Sequence, residues 1–201
     1  MPRIKADTIA EHVDQQRAAV LDAAVELFTT RGFAEVSLGD VAAKVGLARS
    51  SLYRYVPDKT HLLVEWYRRA VPDITSAWSA VTAGDDDPVM RLQRWGHAFL
   101  EWANSPEHQL VAPLMEVIPN LDAQTRAEIS SLHRTMMGTV GEVLQAVGTP
   151  PEQIDGTVDL LAGLLLSAAR AEQAHGVNPQ VRRRLDAAVA AIIAPLDNDD
   201  A

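Results

Sequence analysis

Residues 37–59 read SLGDVAAKVGLARSSLYRYVPDK, and their reading decides the fold. From Leu38 to Val45 the apolar side chains Val41, Ala42 and Val45 recur at helical spacing, with Ser37 placed as a side-chain N-cap. Gly46 suits the left-handed conformation that ends a helix, and Leu47 follows as a plug. A second helix begins near Ala48 or Arg49 and turns Leu52 and Val56 inward. Two short helices joined by a glycine-containing turn form a helix-turn-helix. In that unit the second helix enters the major groove of DNA and the first crosses the backbone.

The outward face of the second helix carries Arg49, Ser50, Ser51, Tyr53, Arg54 and Tyr55, none of them acidic. Arginine reads guanine bidentately, and serine and tyrosine hydroxyls suit phosphates or base edges. Asp58 opens the next helix, and Lys59 stands at its N-terminus. A cation there opposes the helix dipole unless a phosphate lies close by. Ser37, Arg49, Ser50, Ser51, Tyr53, Arg54, Tyr55 and Lys59 are therefore the expected contacts to double-stranded DNA. A solvated polar face on an amphipathic helix pair is the plainer alternative.

The longer stretch RAAVLDAAVELFTTRGFAEVSLGDVAAKVGLARSSLYRYVPDKTHLL resembles the N-terminal domain of the TetR family of transcriptional repressors. The resemblance rests on inward Ala23, Ala24, Leu27 and Phe28, on Gly32-Phe33, and on Ser37 ahead of Asp40-Val41-Ala42. Gly46-Leu47, Leu52-Tyr53 and Lys59 with Leu62 follow at the family's spacing. It covers about a quarter of the chain and implies a DNA-binding end on a helical effector-binding body. Three positions depart. Ala48 stands where the family usually has Ser or Thr, which removes a side-chain cap worth about 1 kcal/mol. Val56, followed by Pro57, replaces the usual Phe. Arg54 occupies a place where an aromatic or polar residue is common.

The chain has 201 residues, 47% of them hydrophobic, with little β-branched alternation, which points to an all-α protein of about nine helices. The expected organisation is a three-helix DNA-binding domain over residues 1–60 and a C-terminal helical bundle over 61–201 for effector binding and dimerisation. Cysteine is absent, which excludes disulfides, thiol nucleophiles and cysteine-based zinc sites. The polar first 20 residues do not read as a secretory signal, and the apolar run 160–169 is too short to span a bilayer. No membrane partner is expected, and the cytoplasm is the expected compartment. The net charge is −9, yet residues 1–60 hold eight basic and eight acidic side chains. All the excess acidity lies beyond residue 60, so the field of DNA would orient the neutral end toward itself.

In order, residues 1–10 read as a frayed arm in which Arg3 and Lys5 are more readily solvated than bound. A first helix spans about Asp14–Arg31, stopped by Gly32. The fourth helix runs from Asp58 through Trp66 to Ala70, with Pro72 as a kink or break. Gly84–Asp87 is a loop whose acids lack calcium-loop spacing. Further helices are expected from Pro88 to Ala103, from Pro106 to Val117 with Ser105 as cap, and from Asp122 to Val147. The last two run from a Thr149 cap to His175 and from an Asn178 cap to just before Pro195. Residues 197–201 read as a disordered acidic tail.

Trp78, Trp95, Phe99, Trp102, Met115, His133 and Met137 are the candidate lining of an apolar effector cavity, although each reads equally as core packing. Arg94, His97, Glu101, Glu116 and Arg134 are further polar candidates for orienting a ligand. The run LLAGLLLSAARA is apolar nearly all round and must be covered on several sides. With the stripe on the last helix, it gives Leu160, Gly163, Leu164, Ser167, Leu185, Val189 and Ile192 as a candidate two-fold dimer interface. A C2 dimer matches a palindromic operator.

The favoured function is a ligand-responsive homodimeric transcriptional repressor. A helical DNA-binding protein without an effector is the second reading. An enzyme is the third, with only the loose grouping of His97, Glu101 and His108 to build on. No cofactor or metal motif is present in the sequence, so neither is expected.

Overall fold

A computed structural model describes residues 6–84 and 86–194, with side chains from residue 11. Arg3, Lys5, Asp85 and the acidic end 197–201 lie outside the described residues. Among those described there are nine α-helices and no strand: α1 (Ala6–Arg31), α2 (Leu38–Lys44), α3 (Arg49–Leu52), α4 (Lys59–Thr82), α5 (Pro88–Ala103), α6 (Val111–Val117), α7 (Ala123–Ala146), α8 (Pro151–His175) and α9 (Pro179–Ile192). Short 3-10 turns flank α6 at Pro106–Leu110 and Ile118–Asn120. The all-α class follows from the sequence as expected.

By internal contacts the chain divides into two compact units. The first comprises residues 1–70 and 109–129, the second 71–108 and 130–201. Packing thus carries the first unit past residue 60 and adds a segment from the middle of the chain. Its core is built from Val20, Ala24 and Phe28 of α1, Val41 of α2, Leu52 of α3 and Leu62, Leu63 and Trp66 of α4, all nearly inaccessible. Phe28 and Phe33 meet edge to face at 5.1 Å, closing the turn after α1. Arg68 of α4 forks onto Glu128 at the start of α7, with bonds of 2.8 and 2.6 Å.

Three boundaries differ from the sequence reading. Helix α1 begins at Ala6, so residues 6–10 are helical rather than frayed. Helix α4 does not stop at Pro72 but runs on to Thr82. Pro72 is exposed and, having no amide, leaves the Arg68 carbonyl without its helical partner. Thr149 does not cap α8; its amide bonds back to the Leu144 carbonyl at 3.1 Å and so finishes α7, leaving Pro150 as the cap residue.

In the second unit α5, α8 and α9 pack together, with Leu92, Trp95, Leu100, Leu161 and Leu165 fully buried. One charged group is buried with them. Glu172 of α8 is 8% exposed and takes a bidentate fork from Arg182 of α9, at 2.6 and 2.9 Å, plus the Asn104 amide at 3.0 Å. Beside it His97 of α5 bonds Asp186 of α9 at 2.9 Å. The Arg182 fork, helped by Asn104, outweighs desolvation and holds the Glu172 carboxyl below its ordinary range. A lowered carboxylate pKa stabilises the fold above the unfolded value, and that share is lost as pH falls through the lower, folded value. Arg182→Met leaves Glu172 buried and short of its partner. Urea unfolding is expected to show a loss of about 3 kcal/mol, with part regained in the double variant Glu172→Met/Arg182→Met. Equal stability of parent and single variant would contradict this role.

Candidate nucleic-acid interface

The interface is assembled from α2, the turn after it and α3. Ser37 caps α2: its hydroxyl accepts from the Asp40 amide at 3.2 Å, while Asp40 accepts from the Ser37 amide at 2.8 Å and hydroxyl at 2.5 Å. This is a capping box with aspartate in place of glutamate. At the other end Gly46 takes φ +71°, and the Leu47 amide reaches the Ala42 carbonyl at 2.9 Å, closing a Schellman motif. Any side chain at Gly46 would be strained. Lys44 of α2 pairs with Glu26 of α1 at 2.7 Å, and Arg31 with Asp40 at 3.1 Å.

Helix α3 is only four residues long and Ala48 supplies no side-chain cap, as the sequence indicates. Turns continue it: the Tyr55 and Val56 amides bond the Leu52 carbonyl at 2.8 and 3.1 Å. Leu52 is inaccessible and Val56 is 4% exposed, so these two anchor the segment. Arg49, Ser50, Tyr53 and Arg54 then face solvent, while Ser51 and Tyr55 are half-buried. Tyr53 is 48% exposed, and its hydroxyl lies 3.5 Å from an Arg49 guanidinium nitrogen. The result is an acid-free surface of hydrogen-bonding side chains.

Two of the expected contacts have other partners. The Ser37 hydroxyl proton is committed to Asp40, so Ser37 is no free donor to phosphate. Lys59 bonds the Phe33 and Ala34 carbonyls at 2.6 and 3.2 Å and sits 4.3 Å from the centre of the Phe33 ring. These contacts explain a cation at a helix N-terminus without a phosphate; one of its three N–H groups remains. Asp58 caps α4 through the His61 amide at 2.7 Å.

Asp40 accounts for an acid in this region. Hydrogen bonds from Ser37, then from Arg31, lower its pKa to about 2. Its stabilising share is therefore present above the ordinary carboxylate value and fades as pH falls toward that lower one. Asp40→Asn is expected to melt below the parent near neutrality, with the gap narrowing on acidification. A gap that stays constant with pH would show that the carboxylate charge is not what holds the cap.

The residues expected at a ligand site are dispersed. Trp78, Trp95 and Phe99 are 2%, 0% and 3% exposed. Trp78 contacts Trp95, Phe99 and Trp102 at ring distances of 5.7, 5.6 and 5.8 Å. These rings form an aromatic cluster, with His108 edge-on to Trp102 at 4.5 Å. Trp95 Nε1 is buried with no acceptor among the described residues. Met137 is half-buried, His133 is exposed, and Met115 is 60% exposed and belongs to the first unit. Arg94 bonds the Val81 carbonyl at 3.0 Å and Asp86 at 2.9 Å, and His97 pairs with Asp186 rather than Glu101. A cleft the sequence did not indicate lies in the first unit, with a volume of about 540 Å3 between α1, the end of the recognition segment and α4.

Of the residues expected at a dimer interface, Leu185 and Val189 are buried within the chain, because the stripe on α9 faces α5 and α8. Leu160 is 58% exposed, Gly163 and Ser167 are exposed, and Leu164 and Ile192 are half-buried. Leu160, Gly163 and Ser167 recur at helical spacing with Gly156, and a Cβ placed on either glycine meets no atom within 4 Å.

A helix-turn-helix that buries its apolar residues and presents such a surface defines a DNA-binding transcription regulator. Residues 20–66 match the family described as bacterial regulatory proteins, tetR family. The HTH-type transcriptional repressor KstR of Mycobacterium tuberculosis is 24% identical over 185 residues, covering 92% of this chain and 83% of that protein. The HTH-type transcriptional regulator EthR of Mycolicibacterium smegmatis is 32% identical over 82 residues, but only 38% of its length is matched. A crystal structure of Thermus thermophilus FadR, described as a TetR family repressor in complex with lauroyl-CoA, superposes with TM-score 0.60 at 20% identity, covering 92% of this chain and 98% of that one. That last likeness shows a shared fold. The match to the tetR family is carried by these N-terminal residues.

Proposed function

We propose that the chain is a homodimeric repressor that binds a palindromic operator through Arg49–Tyr55 and is released by a small, apolar effector. The carrying observation is the acid-free face of the recognition segment, held outward by buried Leu52 and Val56. In this reading residues 1–60 bind DNA, residues 61–201 bind effector and form the dimer, and the protein works in the cytoplasm where its operator lies. Its catalytic role is none: the curated relatives named above are regulators.

Arg54 is the side chain assigned to base reading, and Lys59 to a phosphate through its remaining N–H. In operator titrations Arg54→Ala is expected to cost about 1–3 kcal/mol and to relax specificity at one position. Lys59→Ala is expected to weaken all duplexes alike and reduce the salt slope by about one. Parent-like binding by both variants would remove the assignment.

The dimer is assigned to the exposed face of α8 that carries Leu160, Gly163 and Ser167, with Leu164 and Ile192 at its edge. Small residues let helices approach closely, and Leu160 supplies apolar area that the chain itself leaves uncovered. Gly163→Arg is expected to yield monomers in sedimentation at concentrations where the parent is dimeric. A parent that sediments as a monomer at micromolar concentration contradicts the interface.

The effector is assigned to the aromatic cluster, with Trp78, Trp95, Phe99, Trp102 and Met137 as walls and Trp95 Nε1–H as a donor. The relative with a bound fatty acyl-CoA supports an apolar ligand of this general kind. DNA and effector must weaken each other's binding by the same factor. Helix α4 is continuous through both units, which makes it the element to carry that coupling.

A further inference from the structure

The cleft in the first unit is explained neither by DNA reading nor by the proposed effector site. Its floor is apolar, formed by Ala18 and Leu21 of α1, Val56 at the end of the recognition segment and Leu62 of α4. Its volume, about 540 Å3, falls within the range of small-molecule sites. Val56 stands where the resemblance noted above places a phenylalanine. Val56 is itself 4% exposed and closes the cleft beside the segment that presents Arg54 and Tyr55.

The rim carries charge of two kinds. Arg68 is engaged by Glu65 and Glu128, and Arg69 by Asp22 at 2.5 Å, so those guanidinium groups are neutralised in place. His61 lies 3.6 Å from Glu65. Arg17 is exposed on the rim and has no acidic partner among the described residues. The Tyr55 hydroxyl on the same wall also has no hydrogen-bond partner among them. One unspent cation and one unspent hydroxyl above an apolar floor match an oxyanion attached to a short hydrocarbon. Inorganic phosphate would leave the floor uncovered, and an amine would be opposed by the charge on Arg17.

We infer that this cleft is a second ligand site, in the DNA-binding unit itself, for a short-chain organic carboxylate. The carboxylate is held by Arg17 and the Tyr55 hydroxyl, and the chain lies along the apolar floor of the cleft. A ligand seated there touches the segment that carries the recognition face, so its occupancy and operator affinity are linked.

The test titrates the full chain with octanoate, and with octanol as its uncharged match, following the Val56 methyl and Trp95 indole resonances. Octanoate is expected to shift Val56 saturably and to bind about tenfold more tightly than octanol, the worth of one charge-assisted contact. V56F, which puts a ring into the cleft and is checked for a cooperative melt, is followed through the Leu62 methyl resonances and is expected to lose at least about tenfold in octanoate affinity. Arg17→Ala is expected to erase the preference for octanoate over octanol. Absence of a saturable Val56 shift at millimolar octanoate overturns the site, as does parent-like binding by both variants. An indole shift at Trp95 with Val56 unmoved also overturns it, while leaving the proposed effector site standing.

Discussion

Everything in the helix-turn-helix depends on the burial of Leu52. Helix α3 spans four residues, far below the length at which a helix is stable in water, and it lacks a side-chain cap. Its geometry is therefore imposed from outside. Leu52 is inaccessible and Val56 nearly so, and together they fix which side chains of residues 49–55 remain in solvent. Their neighbours are positioned by polar contacts: Lys44 to Glu26 and Arg31 to Asp40 tie α2 to α1, and Lys59 ties the start of α4 to the turn after α1. Short recognition and long support are two aspects of one arrangement.

The second unit solves a different problem. Its core is aromatic, and rings that meet edge to face gain more than their area alone. A buried carboxylate would be costly there, and Glu172 is tolerated because Arg182 and Asn104 satisfy it. That cluster joins α5, which carries most of the rings, to α8 and α9. The charge divides in the same way: the first 60 residues are balanced and the rest are acidic. Phosphates would repel the acidic part and leave the helix-turn-helix as the surface to approach.

Local chemistry made the fold readable. Asp87-Pro88 and Asn178-Pro179 announce the starts of α5 and α9, Gly46 ends α2, and Ser37 starts it, each through backbone constraints that act within a few residues. The misreadings came from longer-range effects. Pro72 looks like a stop, yet α4 continues through it to Thr82, and Thr149 serves the helix before it rather than the one after. At the site, periodicity identified which residues of α3 face outward but not what else they touch. The carbonyl partners of Lys59, Phe33 and Ala34, are some 25 residues away, and local spacing does not reveal them. Leu185 and Val189 looked like an interface because a stripe on a helix does not say whether its cover comes from the same chain. The cleft beside Val56 had no sequence motif; the one trace of it was a small residue where a larger one was expected.

The central claim is that a segment held by Leu52 and Val56 presents the chain's DNA-reading surface. Amide hydrogen exchange on the full chain, alone and with a duplex selected by it from a random pool, tests this most directly. The account predicts that DNA increases protection in residues 37–59, most strongly over 49–56, and that the amides of α8 are unchanged. Protection confined to the second unit, or a bound duplex that leaves residues 49–56 exchanging as before, would contradict it.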